Sequence, residues 1–89
     1  MPGRRMVLYV LPGEGQVRAG FVSSRRIGGA VVRNRARRRM REAWRALSPS
    51  TSGGFDIVFA ARPDIRAATF PEVLSDMRGV LAGAGMTAP

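Results

Sequence analysis

The sequence predicts a small α+β domain in which helices cover one face of a mixed β-sheet, with the elements in the order β-β-α-β-α. Three observations carry this expectation. Short segments that are either uniformly apolar or strictly alternating recur near residues 6–11, 16–24 and 55–61, as strands require. Two longer segments, from Ala30 to Leu47 and from Thr69 onward, instead keep their apolar residues at helical spacing. With 89 residues, 45% of them hydrophobic, and no internal repeat, the chain has material for one core and therefore one domain spanning residues 1–89.

Met6 to Leu11 is a continuous run of β-formers, read as a strand buried on both faces or paired centrally. Gly13-Glu14-Gly15 then turns the chain. From Gln16 to Ser24 the pattern alternates. Val17, Ala19, Phe21 and Ser23 lie on one side, and Arg18, Gly20, Val22 and Ser24 on the other, so a half-buried strand is expected to pair with the first as a hairpin. Arg25 to Gly29 is a basic connection. Its Gly28-Gly29 pair fits neither a dinucleotide-binding nor a P-loop spacing, so a tight turn is the better reading. Ala30 to Leu47 is a helix whose residues Val32, Ala36, Met40, Ala43 and Leu47 fall within about a quarter turn, widened by Trp44. Ser48 to Gly54 is a polar linker, and Phe55, Ile57 and Phe59 alternate with Asp56, Val58 and Ala60 in a third strand. The last helix has Thr69 as N-cap and Glu72 three residues on, a capping box. Val73, Leu74, Met77, Val80 and Leu81 then follow at core spacing, and Gly83 and Gly85 end the helix.

The first helix carries the most information. Opposite its apolar stripe stand Asn34, Arg38, Arg41 and Arg45, flanked by Arg37 on one side and by Arg35 and Arg39 further round. Seven arginines in the thirteen residues from Arg33 to Arg45, with Glu42 the one acid among them, put like charges at i,i+3 and i,i+4 repeatedly. Each such pair costs a few tenths of a kcal/mol. A helix built only to be solvated would alternate signs, so a phosphate-binding face is favoured over a merely charged one. The whole chain has a net charge of +9 and a pI near 11.9, which implies long-range attraction to nucleic acid and affinity that falls steeply with salt. Every basic residue is arginine. That suits forked contacts to phosphate and stacking on bases, although a GC-rich coding sequence would produce the same bias.

Other chemistries are poorly supplied. There is no cysteine and no histidine, which removes disulfides, the usual zinc ligands and the usual general base. The acids Glu14, Glu42, Asp56, Asp64, Glu72 and Asp76 are scattered, and Ser23 and Ser24 lack a histidine partner, so neither a catalytic residue nor a metal ligand is assigned. No apolar run approaches the twenty residues a membrane span needs, and the run after Arg4-Arg5 is too short for a signal peptide; a cytoplasmic location is expected.

The stretch Phe21-Val22-Ser23-Ser24-Arg25-Arg26-Ile27-Gly28, followed by Ala30-Val31-Val32-Arg33-Asn34-Arg35-Ala36-Arg37-Arg38-Arg39-Met40-Arg41-Glu42-Ala43-Trp44-Arg45, resembles the protein subunit of bacterial ribonuclease P. That family is marked by an Arg-Asn-Arg segment running into a basic helix. The likeness extends through Val7-Leu8-Tyr9-Val10 and through Phe55 to Pro63, covering roughly Arg5 to Leu81. It implies a ribosomal protein S5 domain 2-like fold, in which the arginine helix makes a left-handed crossover between two parallel strands, against the right-handed rule that would otherwise apply.

The resemblance also implies an endoribonuclease whose catalytic site lies in an RNA subunit. On this resemblance Mg2+ would be held mainly by that RNA, and no organic cofactor would be needed. One copy of the protein would join the ribonucleoprotein that removes the 5′ leader from precursor tRNA. Arg33, Asn34, Arg35, Arg37, Arg38, Arg41 and Arg45 would dock the catalytic RNA, with Arg25 and Arg26 also facing RNA. Tyr9, Phe21 and Ser23 would border a cleft for the single-stranded leader. Family members begin with a further helix that covers part of the core and lines this cleft. Here Met1-Pro2-Gly3-Arg4-Arg5 leads directly into the first strand, so the expectation is a chain read from an internal start or shortened at its front, with an apolar sheet face left open.

Three other readings of the basic helix are distinguishable. A ribosomal or other structural RNA-binding protein would bind RNA without accelerating leader removal. A DNA-reading helix-turn-helix needs a suitably spaced helix before Ala30, and none is visible. Binding to a membrane surface is disfavoured because Val32, Met40, Trp44 and Leu47 are better explained as core.

Overall fold

A computed structural model describes residues 1–13, 17–47 and 55–86. Three strands, β1 (Met6–Pro12), β2 (Arg18–Val22) and β3 (Phe55–Ala61), form one sheet in the order β1-β3-β2. Two α-helices, α1 (Ala30–Leu47) and α2 (Phe70–Gly83), follow β2 and β3, each preceded by a 3-10 turn, at Arg25–Ile27 and Pro63–Ala67. The expected order β-β-α-β-α and the mixed sheet are both present. The expected linker at 48–54 lies outside the described residues, as does most of the turn expected at 13–15.

The expected hairpin between the first two strands does not form. β1 pairs antiparallel with β3, placing Leu8 opposite Phe59, and β2 pairs parallel with β3, placing Phe21 beside Phe59. Sequence neighbours pair in only about two-thirds of cases. Here the third strand takes the centre, with Ile57 and Phe59 fully buried on one face and Val58 and Ala60 half-buried on the other. β1 is therefore an edge strand, neither central nor buried on both faces, and its Tyr9, Val10 and Leu11 are exposed. The first residues fold back along it: Gly3 N–H donates to Met6 O (2.8 Å) and Leu8 N–H to Met1 O (2.9 Å), which occupies part of the free edge.

Met6 and Leu8 of β1 and Ile57 and Phe59 of β3 point to the helix side, where α1 supplies Ala36, Met40, Ala43 and Leu47 and α2 supplies Val73, Met77, Val80 and Leu81. The apolar stripe read from the sequence is thus the buried face of α1, with Val32 and Trp44 packed partly against it. Ile27, 1% exposed, anchors the turn before α1. At Gly28 the backbone takes φ 147°, a region L side chains rarely adopt, and a Cβ there would press on Val32 at 3.1 Å, so the tight-turn reading holds.

α2 begins at the capping box expected from the sequence: Glu72 N–H donates to Thr69 Oγ1 (3.3 Å) and Thr69 N–H to Glu72 Oε1 (2.9 Å). It ends on Gly85 at φ 77°, with Met86 N–H returning to Leu81 O (2.8 Å). The backbone N–H of Thr69, followed by its side chain, holds the Glu72 carboxyl below the ordinary carboxylate range. A carboxyl lowered on folding adds stability above its unfolded pKa, and that contribution is lost as pH falls through the folded value. Thr69→Ala removes the oxygen that accepts from Glu72 N–H and should cost about 1 kcal/mol, a drop of about 4–8 °C in melting temperature, with little dependence on pH. Glu72→Gln should lower the melting temperature near neutral pH and lose that effect in acid, where the parent carboxyl is protonated as well, a comparison thermal melts at two pH values can make.

Candidate nucleic-acid interface

With its apolar side fixed on the sheet, α1 has to hold its arginines outward. Asn34, Arg35, Arg38, Arg41 and Arg45 are exposed, and Arg33, Arg37 and Arg39 half-buried. Arg25 and Arg26, on the 3-10 turn that leads into the helix, are exposed as well. Several side chains of the set have internal partners. Arg37 donates to Asn34 Oδ1, Arg39 donates to Ala68 O at 3.0 Å, and the Arg41 guanidinium lies 5.7 Å from the centre of the Phe21 ring. The side chains of Arg25, Arg26, Arg33, Arg35 and Arg38 have no ion-pair or hydrogen-bond partner among the described residues.

The acids are committed elsewhere. Asp64 pairs with Arg4 (3.3 Å), Glu72 and Asp76 clamp Arg5 (2.8 and 3.1 Å), and Asp56 pairs with Arg18 (3.1 Å). Arg5 also donates its backbone N–H to Asp76 (2.8 Å), tying the lead-in of β1 to α2. Four of the chain's six carboxylates thus neutralise arginines outside α1, and Glu42 stays exposed on the helix without a partner among the described residues. The cationic face is left to repel itself, a cost an incoming polyanion would remove.

A hollow of about 290 Å³ on this face is lined by Val31, Asn34, Arg35 and Arg38. Arg37 donates to the Asn34 carbonyl oxygen, and the polar side chains lining the hollow, the Asn34 amide and the Arg35 and Arg38 guanidinium groups, offer mainly donors, which suits an oxyanion. Val31, 71% exposed at its rim, was not among the residues singled out from the sequence. The signal was present, since Val31, Asn34, Arg35 and Arg38 follow i, i+3, i+4, i+7. A second hollow, of about 320 Å³ at Arg4, Arg5, Asp64, Arg66 and Glu72, has its charges largely balanced by the ion pairs above. It is the poorer candidate for a phosphate.

The three residues expected to border a leader cleft are not brought together. Tyr9, 53% exposed, stands on the sheet face that carries no helix, with Leu11, Val22 and the half-buried Val7, Val58 and Ala60. Phe21 belongs to the opposite face, stacked on Phe59 with the ring centres 5.8 Å apart. Ser23 follows the end of β2, and its Oγ is buried without a partner. Alternation alone divides a strand into two faces without saying which one is covered, and Phe21 fell on the covered one.

Among the described residues no three of His, Cys, Asp and Glu gather as a cation site would require, and no helix is long and apolar enough to cross a membrane.

A two-layer α+β fold whose crossover helix carries a dense row of arginines, with Arg33, Arg35 and Arg38 unpartnered among the described residues, defines a class of small, strongly cationic proteins. Within that class, the family model described as Ribonuclease P matches residues 1–85, and the chain belongs to this family. A ribonuclease P protein component from Chloroflexus aurantiacus is 47% identical over 78 residues, covering 85% of this chain and 58% of that protein. One from Shouchella clausii is 42% identical over 91 residues, covering all of this chain and 75% of the relative. The chain therefore spans little more than half the length of the Chloroflexus relative. Among solved structures, the ribonuclease P protein of Staphylococcus aureus superposes with a TM-score of 0.83 at 26% identity, covering 97% of this chain and 80% of that one.

The charge imbalance of α1 makes stability depend on anions. Sulfate or phosphate at constant ionic strength should raise the melting temperature by binding the folded state preferentially, and divalent anions should exceed chloride. Melts in matched chloride and sulfate check this; indifference to the anion would show that α1 is not self-repelling.

Proposed function

We propose that this chain is the protein subunit of a ribonuclease P, assisting a catalytic RNA in the endonucleolytic removal of the 5′ leader from precursor tRNA. The observation that carries the reading is the partition of charge, in a chain of this family: the acids neutralise arginines elsewhere and leave the row on α1 and its preceding turn for an external polyanion. Arg25, Arg26, Arg33, Arg35 and Arg38, with Asn34, Arg37, Arg41 and Arg45 beside them, bind the phosphates of the catalytic RNA, guanidinium forks meeting phosphate oxygens in pairs. The open sheet face around Tyr9 takes the single-stranded leader, whose bases can stack on an aromatic ring where a duplex could not. Cleavage belongs to the RNA, which holds the magnesium ions, so the part played by the protein is to bind, orient and neutralise.

Reconstitution tests the reading. Adding the chain to the catalytic RNA of its host should accelerate 5′ cleavage of precursor tRNA most strongly at low magnesium, where phosphate repulsion is least screened. Binding without acceleration would identify a structural RNA-binding protein instead.

A further inference from the structure

We infer that Phe21 is a positioning residue for Arg41, fixing the direction in which that guanidinium meets RNA. This rests on the functional reading above.

Four groups make a continuous stack through the buried ring of Phe59 to the surface. Trp44 of α1 lies tilted at 55° against Phe59 with centres 5.8 Å apart. Phe59, on the central strand and fully buried, stacks at 8° on Phe21. Phe21 carries the Arg41 guanidinium over its ring. Trp44 and Arg41 are three residues apart on the same helix, so the helix supplies both ends of the stack and the fully buried Phe59 lies between them. The ring beneath Arg41 is therefore held by buried aromatic packing, unlike the surroundings of Arg35 and Arg38, whose side chains have no partner among the described residues.

The planarity of the guanidinium gives this arrangement its consequence. Its face is attracted to the ring quadrupole, while its N–H donors lie in the plane and point away from the ring. With its Cζ 5.7 Å from the Phe21 ring centre, a guanidinium lying face-on would keep its edge donors available for a bidentate phosphate contact. A tethered side chain also loses less rotamer freedom on binding than an unrestrained one. Arg41 is then the preorganised member of the row, and Phe21 acts on RNA through it without touching RNA itself.

The test is a double-mutant cycle on affinity for the catalytic RNA at fixed salt, using Phe21→Leu, Phe21→Tyr, Arg41→Ala and the Phe21→Leu/Arg41→Ala pair. Phe21→Leu should weaken binding about two- to fivefold, the range of a partly exposed cation–π contact. Phe21→Tyr should behave as the parent, and Phe21→Leu should cost nothing further once Arg41→Ala is in place. The dependence of substrate binding on leader length should not change. If Phe21→Leu is too unstable to measure, 3,5-difluorophenylalanine at position 21 keeps the volume while weakening the quadrupole, and the same loss of affinity is expected. An equal weakening with and without the Arg41 side chain, or one that grows with leader length, would overturn the inference. An inert Arg41→Ala alongside damaging changes at Arg35 and Arg38 would overturn it too, leaving the functional reading intact. If none of the three arginine changes weakens binding, the functional reading itself fails.

Discussion

Replacing Arg35, Arg38 and Arg41 together by glutamine should weaken binding to the catalytic RNA roughly a thousandfold at physiological salt and make the log–log salt dependence shallower by about three. The size follows from removing three charge-assisted hydrogen-bonding groups on an exposed face, each at the low end, about 1.5 kcal/mol, of what a cation contributes on meeting a phosphate. The three side chains lie on the exposed side of α1, away from Ala36, Met40 and Ala43, so the substitutions should leave the fold intact and even relieve repulsion within the helix. Arg4 is the matched control. It is as basic, but it already pairs with Asp64, so Arg4→Gln should barely move either quantity. Filter binding across a salt series reads both numbers, and an unchanged slope in the triple variant would place the RNA on another surface.

Phe59→Ala should be the most damaging single substitution in the core. The ring is 0% exposed on the central strand, between Leu8 and Phe21, and touches Trp44 across the sheet–helix layer. Truncating a buried phenylalanine costs about 3–5 kcal/mol, from forfeited transfer energy and the cavity left behind. Domains of this size hold only about 5–10 kcal/mol in total. The melting temperature should therefore fall by about 12–40 °C, leaving a large unfolded fraction at 37 °C. Circular dichroism melts measure this directly, and a shift of only a few degrees would show that the stack is not the centre of the core. Because the inner rings support the ring beneath Arg41, ligand affinity measured well below the melting temperature should fall as well.

How much of this was legible in the sequence depended on distance along the chain. The helix of arginines and its buried stripe came directly from a 3.6-residue period, and the Thr69–Glu72 cap from a three-residue spacing, because each is decided by neighbours a few residues away. The strands themselves were visible, but their pairing was not. Both ladders join segments more than thirty residues apart, and the Gly13-Glu14-Gly15 sequence that makes a hairpin plausible does not specify one. The same limit hid the destination of the acids. Glu72 and Asp76 find Arg5 from 67 and 71 positions away, and no local pattern announces that these charges will be neutralised far from α1. Val31 is illegible for a different reason, since an apolar residue at a helix start reads as core, yet here it is 71% exposed. The family resemblance supplied the parallel crossover, which local periodicity alone could not.

The sheet has a temporal consequence. Its middle strand is the last of the three to be synthesised, and neither β1 nor β2 pairs with the other. A nascent chain on the ribosome can close neither ladder until β3 emerges, so the early strands must wait for their central partner while α1, rich in local contacts, can form first. Folding should therefore be late, cooperative and dominated by long-range closure.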